Sequence, residues 1–579
     1  MCWARCMRFL AAAAAALALA GCGGGSAESG STGNPLSLQD DWATPATDLP
    51  AGKSAASRFL AQATFGASDA EIARLETLGY SRWVADQFHK PASSHLAYFA
   101  SRTALLEENQ TPRTEWVYES FWSKAVTADD ALRQRVAFAL SQIFVVSLGD
   151  GAVAQYPRGV AGYLDMLGEN AFGNFRKLIE DVSLHPMMGL YLSHLRNQKA
   201  DPARGRVPDE NYARELMQLF TIGLHELNQD GTIRLDGRNE PIETYTNDDV
   251  SGLARVFTGF SWGGPDASGA RFFGGVPHSD RDIMPMRGYP QFHESGPKYF
   301  LGTTVNGTTP EESLRAALDR IFAHPNVGPF FGKQLIQKLV TSNPSPAYVR
   351  RVAAAFADNG QGARGDMKAV LRAVLLDPEA RDELHAEAQP WGKVREPILR
   401  VSAWMRAFKA TSSSGRFLIP QTDDVVNSIG QTPMRAPSVF NWYRPGYVPP
   451  NTTIAEAGLV APEMQLTHES SVAGYLNTMR AAVQSGFGSN DPATGKRDVQ
   501  PDYGAELALA EDPDQLVARV DLLLTAGRMP ASLRSQIRDA VASVAISATN
   551  PTAAETARLN RVRLAVFLAL ASPEFIVQK

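Results

Sequence analysis

The sequence predicts a mainly α-helical protein: one large multi-helix domain with long irregular loops rich in aromatic residues and proline, and at most short hairpins. Three observations lead there. Apolar residues recur at three- and four-residue spacing over most of the chain, the period of a helix with one buried face. Where that period lapses, at 259–302 and 430–450, Gly, Pro and large rings replace it, the composition of lids, binding loops or covers over a core. No long apolar–polar alternation and no internal repeat is present, so neither a large sheet nor a solenoid is expected.

At 579 residues, with 44% hydrophobic and 20% charged side chains, the chain can bury a sizeable core. Its formal net charge of -5 offers no basic footprint, which argues against a nucleic-acid partner. The amino terminus carries Arg5 and Arg8, then an apolar run from Phe9 to Ala20, then Leu19-Ala20-Gly21-Cys22. A basic start, a short apolar stretch and small residues describe a secretory signal over 1–21, too short to span a bilayer as a mature helix. The last four residues resemble a lipobox, which implies lipidation of Cys22 and attachment to a membrane through that anchor alone. Gly23 in place of Asp resembles sorting to the outer membrane, so the expected location is the bacterial envelope. Cys2 and Cys6 leave with the signal, and a lipidated Cys22 leaves the mature chain without a disulfide or a cysteine metal ligand.

The expected divisions are a flexible lipidated tether over 22–52, a main helical domain over 53–450, and a C-terminal helical part over 451–579 packed on it. Phe59, Leu60, Ala63, Ile72, Leu75, Leu78 and Trp83 give two or three opening helices punctuated by Gly66 and Gly79. In the helix from Ala131, Leu132, Val136, Ala139, Leu140 and Ile143 face inward, and Arg133 and Arg135 lie elsewhere. Residues 175–194 read as two helices broken at His185-Pro186, because proline disfavours helix in the residue before it. Leu227 to Leu235 is a short hairpin with Asp230-Gly231 in the turn. It half-matches a calcium loop, but Gly237 stands where the bidentate glutamate belongs. Thr246-Asn247-Asp248-Asp249 opens a capped helix, and four more helices are expected between His468 and Ala571.

The candidate centre is 211–225. Turned at about 100° per residue, Tyr212, Ala213, Leu216, Met217, Leu219, Phe220 and Leu224 share one face. Asn211, Arg214, Glu215, Gln218, Thr221 and His225 form the opposite stripe. Amide, guanidinium, carboxylate, hydroxyl and imidazole without a lysine suit either a buried polar seam or a ligand site.

Several segments, in order along the mature chain, resemble the bacterial family catalogued as domain of unknown function 1800. They are Arg58-Phe59-Leu60 with Ala63-Thr64-Phe65-Gly66, Asn211-Tyr212-Ala213-Arg214-Glu215-Leu216, Ala254-Arg255-Val256-Phe257-Thr258-Gly259 and Gly296-Pro297-Lys298. Lys393-Val394-Arg395-Glu396-Pro397, Ala436-Pro437-Ser438-Val439-Phe440-Asn441-Trp442 and Ser572-Pro573-Glu574-Phe575 complete the set. Phe220 departs from the pattern, standing where such proteins often carry histidine. The resemblance implies fold and export more than chemistry.

Two functional classes stay open. One is a hydrolase acting on an extracellular polymer, glycan or peptide, with Glu215 as general acid or base, Arg214 and Asn211 positioning it, and Asp249 as second carboxylate. Gln218, His225, Trp262, His293, Lys298 and Trp442 are then candidates for substrate contact, the tryptophans by stacking on rings. The other is a non-catalytic surface module that binds a polymer or an envelope protein through its aromatic loops. No cofactor is expected. His278, His293 and Glu294, with Asp280 and Asp282 between, match no closed metal motif, so a divalent metal is left open without spacing to support it.

Overall fold

A computed structural model describes residues 47–387 and 391–579. The signal, Cys22 and most of the tether lie outside the described residues. Twenty-six α-helical segments and nine short strands follow one another among the described residues, and every strand pair is antiparallel. The mainly helical class holds, with strands confined to small pairs.

Local chemistry sets the helix boundaries. Ser68 caps Asp69–Leu78 by accepting from Glu71 N. Thr309 and Glu312 cap Pro310–Phe322 reciprocally, with proline at the first turn where its missing N–H costs nothing. The break at His185-Pro186 separates Phe175–Leu184 from Pro186–Tyr191, and His185 itself caps the second helix through Nδ1. Thr246 and Asp249 form the expected capping box on Asn247–Val256. The C-terminal helices are Glu469–Ser485, Pro513–Thr525, Ala531–Ala542 and Pro551–Ala571.

One continuous core runs through these helices, anchored by rings such as Trp83, Trp122 and Trp404. The aromatic loop 259–302 is tied down by two small ladders, Phe260–Ser261 with Arg287–Gly288 and Lys298–Phe300 with Thr303–Val305. Helix Asn247–Val256 meets Lys298–Phe300 at Gly252, where a Cβ would stand 1.6 Å from the Tyr299 carbonyl oxygen, so only glycine permits that approach. Lys393–Val394 pairs with Val577–Gln578, bringing the end of the chain against its middle.

Two expectations are corrected. Residues 211–225 do not form one α-helical rod: the α-helix covers Asn211–Glu215, a π-helical turn follows over Leu216–Thr221, and the chain leaves at Gly223 with φ +73°. The wider turn rotates the later residues out of the expected stripe, so Leu224 is 51% exposed instead of buried. Arg135 is also not turned away from the core. Helix Ala131–Ser141 is enclosed on nearly every side, and the Arg135 guanidinium is fully buried.

Candidate active site

Glu215 ends the short helix Asn211–Glu215 and is 8% exposed, and its Oε2 has no hydrogen-bond partner. An unanswered buried carboxylate is costly when charged. Burial accordingly pushes its carboxyl above the ordinary value, with the Arg214 charge pulling the other way. Arg214 does not neutralise it by contact. Its guanidinium donates to Glu210 Oε2 at 3.2 Å and to Asn247 Oδ1 at 3.4 Å, one turn back and on the next helix. A π-helical turn directly after Glu215 displaces the backbone ladder at the point where the carboxylate stands.

The neighbours that feel Glu215 are tyrosines. Tyr191 is pushed up to about 12, first by burial, then by the charges of Asp150 and Glu215. Burial also raises Tyr245, whose hydroxyl donates to Gln218 Oε1 at 3.3 Å. Tyr191 thus lies within electrostatic reach of two carboxylates, and the second is Asp150, at the loop after helix Ala131–Ser141. Asp150 Oδ1 accepts from the N–H groups of Ala152 and Val153, which fixes its orientation. Nothing in the sequence near 211–225 points to Tyr191 or Asp150, because only tertiary packing joins them.

The other candidates hold structural positions. Asn211 is exposed, its Nδ2 donating to Ser193 Oγ at 3.4 Å. Asp249 Oδ2 accepts from Thr246 N and Oγ1 while Oδ1 accepts from Leu301 N at 2.6 Å, so this carboxylate caps a helix and pins a loop. His225 is held through its backbone, pairing with Glu243 and accepting from Asn326 Nδ2. Trp262 is buried under Arg281, whose guanidinium lies 4.8 Å from the ring centroid. His293 is buried with Nδ1 against Thr258 O at 2.7 Å and Nε2 against Ser313 Oγ at 2.9 Å, and burial lowers it to about 4. Lys298 donates to the carbonyls of Gly296 and Gly307, and burial lowers its ammonium. Trp442 is half-buried and lines a cavity of about 10 Å³, room for one water, with Gln142 and Asn441. Asp280 and Asp282 both pair with Arg158. Among the described residues no group of three or more His, Cys, Asp or Glu side chains is placed to hold a metal ion.

A second polar concentration lies deeper. Arg135, Lys338, Lys393, Glu396, Tyr443 and Glu463 are all buried. Glu396 Oε2 accepts from Gln142 Nε2 at 2.5 Å and Gln431 Nε2 at 2.6 Å. Lys393 pairs with Glu463 at 3.0 Å and donates to Lys338 O at 2.9 Å. The signal for this cluster was present in two of the resemblance segments, 393–397 and 436–442, but nothing local to Glu396 in the sequence shows that it is buried.

A family model described as "Protein of unknown function (DUF1800)" matches residues 58–577. No curated protein and no solved structure matches the chain.

Proposed function

The chain belongs to the family described as Protein of unknown function (DUF1800), and from that premise we propose that it is an exported, lipid-anchored envelope hydrolase whose general acid is Glu215. The observation that carries the reading is the buried, unpartnered Oε2 of Glu215. A carboxyl whose proton burial holds more tightly than usual can hand that proton to a leaving group, and a glycosidic or amide bond needs such a proton as it breaks. Asp150, whose charge acts on Tyr191 as that of Glu215 does, is the second carboxylate in this proposal, taking a proton from the attacking water. The balance is then complete: water supplies hydroxyl to one fragment, Glu215 supplies hydrogen to the other, and the proton returns from Asp150 to Glu215. The substrate class is an extracellular polymer, glycan or peptide. Export and anchoring rest on Leu19-Ala20-Gly21-Cys22, and no helix among the described residues is long and apolar enough to cross a membrane.

The second reading, a non-catalytic surface module, has its own support in exposed rings of the aromatic loop, Phe273 and Tyr299. One experiment separates them. Purified full-length protein in detergent is incubated with peptidoglycan sacculi, chitin, xylan and casein, and new reducing ends or amines are counted. Release from one polymer that disappears in a folded Glu215→Gln variant supports the hydrolase. Binding to a polymer without release, unchanged in that variant, supports the module and removes Glu215 from its role. For the anchor, Cys22→Ala is expected to move the protein from the membrane fraction to the soluble fraction of the envelope.

A further inference from the structure

Asparagine is followed by glycine at two places in this chain, and the fold treats them in opposite ways. Such a pair is open to attack by the next main-chain nitrogen on the side-chain amide, because glycine has no side chain to block the approach and reaches the backbone angles it needs. At Asn359-Gly360 every participant is held. Asn359 is 4% exposed, its Nδ2 donates to Asp366 Oδ2 at 2.7 Å, and its Oδ1 accepts from the N–H groups of Gln361 and Ala363. The attacking nitrogen is engaged as well, Gly360 N donating to Asp358 Oδ1 at 2.8 Å. Asn306-Gly307 lies between strand Thr303–Val305 and helix Pro310–Phe322, and there nothing is held. Asn306 is exposed, and neither its side chain nor the Gly307 N–H makes a hydrogen bond among the described residues.

We propose that Asn306 is a site of self-modification, where the Gly307 nitrogen turns the side-chain amide into a carboxylate without an enzyme. The Gly307 N–H gives its proton to hydroxide, and the nitrogen bonds to Asn306 Cγ. The Cγ–Nδ2 bond breaks, and Nδ2 leaves as ammonia after taking a proton from water. Water then opens the five-membered imide at either carbonyl. Opening at Cγ gives aspartate, and opening at the main-chain carbonyl gives isoaspartate, with the chain now running through Cβ and Cγ. Both products add one negative charge, and isoaspartate also lengthens the main chain by one carbon–carbon bond, about 1.5 Å. The backbone beside it has no slack for that. The Gly307 carbonyl accepts from Lys298 Nζ at 2.9 Å and from Ser313 Oγ at 3.0 Å, and a Cβ on Gly307 would stand 2.8 Å from Ser313 N. The same Ser313 hydroxyl meets His293 Nε2 at 2.9 Å. Lys298 and His293 are buried residues of the aromatic loop 259–302, so isoaspartate at 306 shifts the point at which that loop is fastened to helix Pro310–Phe322.

The test uses the intact, folded protein, held at about pH 7 and about pH 9 and then digested with trypsin. Peptides 299–315 and 352–364 carry the two Asn-Gly pairs. A gain of about 1 Da is expected in 299–315, faster at the higher pH, with 352–364 unchanged, whereas in urea both peptides gain it. Folded protein in which 299–315 is modified no faster than 352–364 overturns the proposal. For the loop, chymotrypsin is expected to cut after the exposed Phe273 faster in aged parent than in aged Asn306→Gln, whose longer side chain closes the ring far more slowly. Equal cutting in parent shown by fragmentation to hold isoaspartate overturns the link to the loop. Freshly purified parent is a second reference, so the outcome does not depend on the variant.

Discussion

Two buried glutamates of this chain are handled in opposite ways. Glu396 sits among cations and accepts two side-chain amide N–H groups on one oxygen, so burial is offset by partners drawn from helix Ala131–Ser141 and the 430–443 loop. Each leaves one buried oxygen without a donor, Glu396 Oε1 and Glu215 Oε2, but Glu215 has no amide pair on its other oxygen and its neighbouring Arg214 is engaged with Glu210. The difference teaches which acid belongs to the architecture and which does not. A group that contributes to folding collects hydrogen bonds, whereas a group left without them lowers stability and persists for another reason.

The contrast can be broken in four places, taken from the largest effect down. Removing Glu396 as alanine strands Arg135 and two buried amides, so a loss of about 3–5 kcal/mol is expected in urea unfolding. A loss below about 1 kcal/mol would erase the distinction. Glu215→Leu deletes an unsatisfied buried group of similar length, and a gain of about 1–2 kcal/mol is expected together with loss of polymer cleavage. A stability loss there would mean that Glu215 has partners in solution.

The third test is pH. Glu215 is raised in the folded state relative to the unfolded one, so the unfolded chain releases this proton first as pH rises. Its contribution is absent at low pH, where both states hold the proton, and becomes unfavourable above the ordinary glutamate value, levelling beyond the folded one. The stability of Glu215→Gln minus that of the parent should therefore grow with pH through this window, measured as Tm from pH 4 to pH 8 in roughly unit steps. A flat difference contradicts the burial. Smallest is Arg214→Ala, which deletes a half-exposed pair with Glu210 and is expected to cost only about 0.3–0.5 kcal/mol.

Much of the fold was legible because it depends on near neighbours in sequence. Thr246 three residues before Asp249 and proline after His185 each fix a helix start by contacts within one turn. The site was legible only in part. Glu215 stands out by type and spacing, but its isolation depends on where Arg214 turns, and Arg214 could be drawn to Glu210 or to Glu215 on sequence alone. The π-helical turn at Leu216–Thr221 has no local signature, since each residue there suits an α-helix equally well. Asp150, Tyr191 and the partners of Glu396 are joined across tens to hundreds of positions, and a window of fifteen residues carries none of that information. Asp249 shows the converse hazard: it looked available for chemistry, and its two oxygens are occupied by Thr246 and Leu301.

The pairing of Lys393–Val394 with Val577–Gln578 bears on how the charged cluster is closed. Gln578 also donates to the carbonyl of Leu339, directly after Lys338, so a strand far along the chain seals against the residues around the cluster. Arg135, Lys338 and Glu396 are therefore enclosed by a contact that no local helix can supply, and the charges stay wet until distant segments have docked.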